Sequence, residues 1–162
     1  AMATAILGLS VDVHGGGSDL AFPHHAYEAA LVEAATGVAP FARAWMHIGE
    51  VGVSGEKMAK STGNLVLVFD LLQEWQPEVV RLMILDRAWS DAWSYEPALL
   101  DQAAARLDDL RSAAGRGSGD EVATAEALGR LFDGLDVPGA LAVAEESGGE
   151  AARLCLSLLG LT

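Results

Sequence analysis

The chain has 162 residues, of which 51% are hydrophobic, with 10 Lys and Arg against 23 Asp and Glu. This length is enough for one ordinary domain or two small ones, each with a buried core. The net charge of −13 argues against an independent nucleic-acid-binding module, because phosphate contacts need an excess of basic residues. The single cysteine excludes a disulfide framework, and no apolar run is long enough for a membrane span, so a cytoplasmic protein without membrane contact is predicted.

The beginning of the chain reads as a strand followed by a helix. A β-prone run at Val11-Asp12-Val13 leads into a glycine-rich segment, His14-Gly-Gly-Gly-Ser-Asp19, which we expect to be a loop. A helix is predicted over 24–36, because Pro23 suits a first helical turn and Gly37 suits a helix stop.

The rest of the chain reads mainly as helix after a second extended segment over 45–53. Apolar residues at three- and four-residue spacing, with Pro77 and Pro97 as helix starts, predict helices over 70–75, 78–87 and 97–114. Cys155 lies in an apolar helical run and is expected to be a buried small hydrophobe. Composition divides the chain into three parts. Residues 1–64 hold most of the candidate functional residues, residues 65–116 are predicted to be helical, and residues 117–162 are predicted to form a small acidic helical region.

A histidine and a glutamate four residues apart form the first candidate site. His24 and Glu28 would share one face of the predicted helix, so both side chains can converge on one ion. Imidazole nitrogen and carboxylate oxygen are half of a typical zinc ligand set. An ordinary surface hydrogen bond is the alternative for such a pair.

The glycine triplet is the second candidate site. Gly15, Gly16 and Gly17 would expose backbone N–H groups to the oxygens of a ligand, and Asp19 could accept hydrogen bonds from ribose hydroxyls. The alternative is a tight turn that Asp19 caps.

The third candidate is the segment Gly55-Glu-Lys-Met-Ala-Lys-Ser-Thr-Gly-Asn64, which holds the only two lysines of the chain. Two ammonium groups in a mobile loop can neutralise the charge that moves to a leaving pyrophosphate. A solubilising surface loop is the alternative, but it does not explain why Lys57 and Lys60 are the only lysines among the basic residues.

These motifs occur in an order that resembles the cysteinyl-tRNA synthetase family. The segments that carry the resemblance are His14-Gly-Gly-Gly-Ser-Asp-Leu20, Phe22-Pro-His-His25, Trp45-Met-His47 and Gly55-Glu-Lys-Met-Ala-Lys-Ser61. The resemblance implies an α/β fold, the C-terminal part of a Rossmann-like class I synthetase catalytic domain followed by an α-helical bundle.

The resemblance also implies an activity and a set of roles. The family activates cysteine with ATP, together with Mg²⁺, to cysteinyl-adenylate and transfers the cysteinyl group to tRNA. Its zinc binds the substrate thiolate through two cysteines and the residues that match His24 and Glu28. Lys57 and Lys60 would be catalytic. The implied ATP- and adenylate-binding residues are His14, Gly15, Gly16, Gly17, Asp19, Lys57, Met58, Lys60 and Ser61.

Some family features have no match in the chain. The resemblance places the His-x-Gly-His nucleotide signature and both zinc cysteines before residue 1. We therefore expect a fragment, inactive alone, whose partner is the N-terminal remainder of a parent chain. Ala59 replaces the usual loop serine, and Ala26-Tyr27 replaces Glu-Asn between the two implied ligands.

Two alternatives to the tRNA ligase stay open. One is the related ligase that joins cysteine to glucosaminyl-inositol in mycothiol synthesis, which the segments 41–43 and 63–68 and the acidic tail favour, whereas Glu28 favours the tRNA ligase. The other is a non-catalytic nucleotide-binding paralogue, suggested by Ala59 but opposed by the retained lysines.

Overall fold

The computed structural model describes residues 2–117 and 120–162. In this part of the chain, helices and strands alternate at first and helices then dominate. The elements in order are α1 Met2–Leu7, β1 Val11–Gly17, α2 Ala26–Thr36, β2 Ala42–Ile48, β3 Val51–Val53, β4 Glu56–Lys57, α3 Val68–Leu71, α4 Pro77–Leu85, β5 Trp93–Tyr95, α5 Ala98–Ala114, α6 Glu121–Phe132, α7 Val137–Ser147 and α8 Gly149–Leu158.

The chain divides into two compact units, and the first contains the chain up to Val51 together with Ser90–Trp93. Its centre is a β–α–β arrangement in which β1 and β2 pair in parallel and α2 connects them. A small apolar core lies under this helix. Val11, Phe41 and Ala42 are buried there against the partly buried Ala29 and Val32.

The second unit contains Gly52–Trp89 and Ser94–Thr162. Its helices pack on one another, α4 against α5, α5 against α7 and α8, and α6 against α7 and α8. The side chains that fill this core are fully buried, and the largest of them belong to Leu82, Leu107, Leu110, Leu141, Cys155 and Leu161. Burial of these aliphatic groups is the main stabilising contribution in this unit.

Short strands form a second sheet in the order β4-β3-β5. Strands β3 and β4 make an antiparallel hairpin, in which Gly52 faces Lys57 and Val53 faces Glu56. The two turn residues, Ser54 and Gly55, have φ values of 53° and 84°. Positive φ at both central residues is typical of the type I′ turn, whose twist matches that of the flanking strands.

Several predicted helix boundaries are confirmed. Helix α4 begins at Pro77, and α5 follows Pro97 and ends at Ala114. Helix α2 ends directly before Gly37, whose φ of 71° is left-handed. Each boundary depends on a steric property of one residue type, which local sequence expresses directly. The prediction that Cys155 is a buried hydrophobe is also confirmed.

Other predictions about local structure are wrong. The glycine triplet is not a loop but the end of β1, because Gly15, Gly16 and Gly17 keep pairing with β2. The helix predicted over 70–75 is the shorter α3, Val68–Leu71, followed by turns. The extended segment over 45–53 is interrupted between β2 and β3, and β2 already begins at Ala42.

The start of the helix predicted over 24–36 is also different. Helix α2 begins at Ala26, and a kinked segment, Ala21–His25, precedes it. Phe22 inside this segment has an extended backbone, with φ −141° and ψ 136°. Helical backbone therefore does not extend back past the kink at Phe22, although His25, directly before α2, has helical angles of φ −65° and ψ −35°.

Nothing among the described helices has the length and apolar character that crossing a lipid bilayer would require.

Candidate functional site

Parallel pairing of β1 with β2 places histidines from distant positions side by side. In the register, His14 of β1 lies opposite Trp45, and Gly16 lies opposite His47. The ring centroids of His14 and Trp45 are 5.0 Å apart. Two adjacent strands thus supply two of the imidazoles of this site.

Helix α2 adds a carboxylate to the same place. The Nε2 atom of His14 lies 3.3 Å from Oε2 of Glu28, which is in the first turn of α2. Ligand atoms of His14, His25 and Glu28 all lie within 4.8 Å of one another. Among the described residues, these three side chains form the group with donor atoms close enough to share an ion.

His25 is the buried centre of the cluster. Its side chain is 4% exposed. Its Nδ1 lies 2.9 Å from Nε2 of His47, so one of these two nitrogens donates a hydrogen bond and the other accepts it. Its ring is 4.7 Å from that of His14 in an edge-on contact. Burial, followed by repulsion from positive charge on His14 and His47, lowers the pKa of His25. At neutral pH this imidazole is therefore neutral.

Gly16 makes room for this ring. A Cβ atom at Gly16 would lie 2.7 Å from Cε1 of His25, closer than carbon atoms can approach. This close approach gives the glycine a packing role within the strand.

The donor set of the cluster suits a borderline metal. Neutral imidazole nitrogens and a carboxylate oxygen are ligands that zinc accepts, usually in sets of four. The same groups make two separate polar contacts, one between His14 and Glu28 and one between His25 and His47.

The structure brings together only part of the predicted metal pair. Glu28 belongs to the cluster, whereas His24 is exposed and contacts it through its ring, 5.5 Å from the ring of His25. The role of His24 as a ligand stays a prediction. Asp19 is exposed in a 3₁₀ turn, Ser18–Leu20, directly after the glycine triplet.

The predicted lysine loop follows the β3–β4 hairpin in the second unit. Lys57 is the last residue of β4 and pairs with Gly52, and Lys60 lies three residues further on. Both lysine side chains are exposed. Met58 is half-buried, and Ser61 is exposed.

Sequence reasoning missed three residues of these two places. His25 and His47 are central to the histidine cluster, and Asn64 bonds to the backbone of the lysine loop. His47 belongs to the Trp-Met-His motif, which the resemblance brought into view without assigning a role. The signal for Asn64 was its place at the end of the glycine-bounded loop.

The residues 1–105 match the family model described as the tRNA synthetases class I (C) catalytic domain. Two curated relatives bear the name L-cysteine:1D-myo-inositol 2-amino-2-deoxy-alpha-D-glucopyranoside ligase. The protein from Acidothermus cellulolyticus is 48% identical over 149 residues, which cover 90% of this chain and 37% of the relative. The protein from Thermobispora bispora is 47% identical over 145 residues, which cover 88% of this chain and 36% of the relative.

A solved structure also resembles this chain. It is the LeuRS of Agrobacterium radiobacter K84 in a ternary complex with tRNA and LeuAMS, with a TM-score of 0.60 and 17% identity over 93% of this chain and 26% of that chain. At this identity the likeness concerns the fold alone. The chain spans about a third of the length of its curated relatives. On the family match, the chain belongs to the class I (C) tRNA synthetase catalytic-domain family.

Proposed function

We propose that the complete gene product containing this chain is a ligase that activates cysteine with ATP and joins it to glucosaminyl-inositol. The observation that carries this proposal is the name of the relatives, which at 48% and 47% identity are cysteine ligases for that amino sugar. In the first step the cysteine carboxylate attacks the α-phosphorus of ATP, and pyrophosphate leaves. In the second step the sugar amine attacks the carbonyl carbon, and AMP leaves.

In this proposal the lysine loop acts in the first step. Lys57 and Lys60 would stabilise the charge on the departing pyrophosphate, and Met58 and Ser61 would line the same nucleotide site. The support is the solvent-exposed position of both lysine side chains in a loop that a hairpin anchors. Charge partners aimed at a developing anion are among the largest contributors to catalysis, and Mg²⁺ with ATP would share this work.

The strand end and the histidine cluster would serve the amino-acid side. His14, the Gly15–Gly17 backbone and Asp19 would lie against the adenylate. Zinc held at Glu28 and His24, with cysteine residues from the rest of the protein, would bind the substrate thiolate. The proximity of His14 and His25 to Glu28 supports a metal at this place, because it gathers further imidazole donors.

We also propose the finer architecture that the resemblance implies. The first unit would be the end of a Rossmann-like sheet and the later helices a bundle after it, in a cytoplasmic enzyme. The support is that parallel sheets are ordinarily covered on both faces. In the first unit, by contrast, apolar side chains of β1 and α2 remain exposed, Val13 at 62% and Leu31 at 69%. The division at residues 64 and 116 stays part of this proposal.

A tRNA acceptor is the second candidate. The family name supports it, and so does Glu28, a carboxylate that the resemblance associates with the tRNA ligases. The acidic balance of the chain favours the small acceptor, because tRNA binding draws on basic surface.

The decisive experiment offers both acceptors to the complete gene product with ATP and L-cysteine. Cysteine-dependent ATP–pyrophosphate exchange is expected, with AMP release stimulated by glucosaminyl-inositol and not by cysteine-specific tRNA. Stimulation by tRNA alone would reject the proposed acceptor. Absence of exchange in zinc-loaded protein would favour a nucleotide-binding paralogue without turnover.

A variant pair tests the lysine loop in the same assay. Lys60→Ala is expected to slow pyrophosphate exchange by about 10²–10³-fold, the usual cost of losing one transition-state charge partner. Arg111→Ala is the matched control, because it removes one exposed positive charge from α5 of the same unit. Equal exchange rates for the two variants would contradict the assignment.

A further inference from the structure

One side chain closes the lysine loop. The Oδ1 atom of Asn64 accepts hydrogen bonds from the backbone N of Ala59 at 2.9 Å and from Oγ1 of Thr62 at 2.6 Å. Its Nδ2 donates to the backbone O of Lys57 at 3.1 Å. A single amide thus uses both of its polar ends to join the two halves of the loop.

The loop backbone is held on its other side as well. Lys57 lies in the hairpin opposite Gly52, and its carbonyl accepts the hydrogen bond from Nδ2 of Asn64. The carbonyl of Lys60 accepts from the N of Gly63 at 3.3 Å, and the carbonyl of Ala59 accepts from the N of Thr62 at 3.3 Å. Both lysines therefore start from backbone positions that the loop itself fixes, while their side chains reach solvent.

Fixing these starting points matters because the lysine side chain is long and has many rotamers. Holding such a side chain in one conformation costs rotamer entropy, which binding must overcome. A displacement of a charged group by about 1 Å can cost about 10²-fold in rate. A loop that fixes the backbone position of each lysine reduces both the loss of entropy and the loss of rate.

We propose that Asn64 is a positioning residue that sets the separation of Lys57 and Lys60 for contact with the phosphates of ATP. This inference rests on the proposed function. Asn64 itself touches neither ATP nor cysteine in this proposal, and it acts through the backbone of the loop. Ala59, which has no side-chain hydroxyl, contributes to the same arrangement only through its N–H and carbonyl.

Three variants of the complete gene product test the inference. Asn64→Ala removes all the bonds of the amide, and Asn64→Asp keeps the acceptor oxygen but replaces the donor to Lys57 with a second oxygen. Gln73→Ala is the matched control, because Gln73 also donates a side-chain amide bond to a backbone carbonyl, that of Phe69, elsewhere in the second unit.

The kinetic readout separates positioning from general loss of structure. Asn64→Ala is expected to lower kcat for cysteine-dependent pyrophosphate exchange by about 10–100-fold and to leave KM for cysteine within about twofold. Asn64→Asp is expected to lower kcat in the same way, because an oxygen then faces the Lys57 carbonyl. Gln73→Ala is expected to keep the kcat of the parent. A kcat for Asn64→Ala within twofold of the parent would overturn the inference.

A second readout does not depend on activity. Trypsin cleaves after lysine, so its cleavage rate at Lys57 and Lys60 measures how ordered the loop is. Asn64→Ala is expected to raise this cleavage rate at least tenfold over that of Gln73→Ala. Equal cleavage rates would overturn the inference even if the parent shows no exchange. Loss of exchange in the parent, with faster cleavage in Asn64→Ala, would reject the proposed function and leave the loop closure by Asn64 in place.

Discussion

Arg106 ties three parts of the second unit together, and its removal should destabilise that unit strongly. From α5, its guanidinium bonds Glu145 of α7 through Nε at 2.6 Å and Nη2 at 3.2 Å, and its Nη1 bonds Asp86 just after α4. The three side chains are only 26%, 31% and 23% exposed. Burial alone lowers the pKa of Arg106, but the hydrogen bonds that Arg106 donates to Glu145 and Asp86 outweigh burial and raise that pKa.

The expected cost follows from what Arg106→Met leaves behind. Two carboxylates lose their cation in a site that is about three-quarters buried. Truncating one member of a fully buried ion pair costs about 3–5 kcal/mol, and partial solvent access reduces this. We expect a loss of about 2–4 kcal/mol in the free energy of unfolding. For a chain of this size that corresponds to a fall in Tm of about 5–15 °C.

Urea unfolding followed by circular dichroism at 222 nm measures this loss, because α4 to α8 lie in the second unit. Arg111→Met is the control, since Arg111 is exposed on the same helix. A triple variant that adds Asp86→Asn and Glu145→Gln to Arg106→Met should regain part of the stability, because no carboxylate is then left unpaired. If Arg106→Met and Arg111→Met unfold within about 0.5 kcal/mol of each other, the reasoning is refuted.

Three further variants probe single positions. Gly49→Ala should destabilise the first unit by at least about 1–3 kcal/mol, because its Cβ would overlap the backbone of Asp91; an unfolding midpoint equal to the parent's would contradict this. Ser54→Asn should stabilise the β3–β4 hairpin by up to about 1 kcal/mol, since asparagine tolerates the φ of 53° better than serine; a lower Tm would speak against it. Burial raises the pKa of the Cys155 thiol, so stability should decline as pH rises above about 8.5, where the unfolded thiol ionises. Cys155→Ala should show a flatter stability curve between pH 8 and 10, and parallel curves would refute the link.

The histidine cluster shows which side-chain contacts the spacing of residues in the sequence predicts and which it does not. Spacing pairs His24 with Glu28, but the structure gathers His14 and His25 around this carboxylate. His25 takes the buried position, and His14 reaches Glu28 from the neighbouring strand. Which imidazole lies next to Glu28 depends on the pairing of β1 with β2 and on side-chain packing, which no periodicity in the sequence expresses.

The family motifs were readable from the sequence because they are contiguous. The segment from Gly55 to Ser61 and the glycine triplet each carry their residues in one short run, and the family match over residues 1–105 agrees with what they imply. The acceptor substrate was harder to predict from the sequence. Glu28 favoured tRNA and the segments 41–43 and 63–68 favoured the amino sugar, which the names of the relatives also favour.

The amino-acid order alone determined the features that depend on the sterics of one residue. Pro77 and Pro97 start helices, Gly37 ends one, and the apolar spacing buries one face of α5, as the structure confirms. Tertiary structure decided whether the glycines after His14 form a loop or a strand, which imidazole faces Glu28, and what Asn64 holds. These outcomes depend on partners that are distant in sequence or reached only once the chain has turned. Their energies arise from contacts that form when the backbone closes, and local propensity does not encode them.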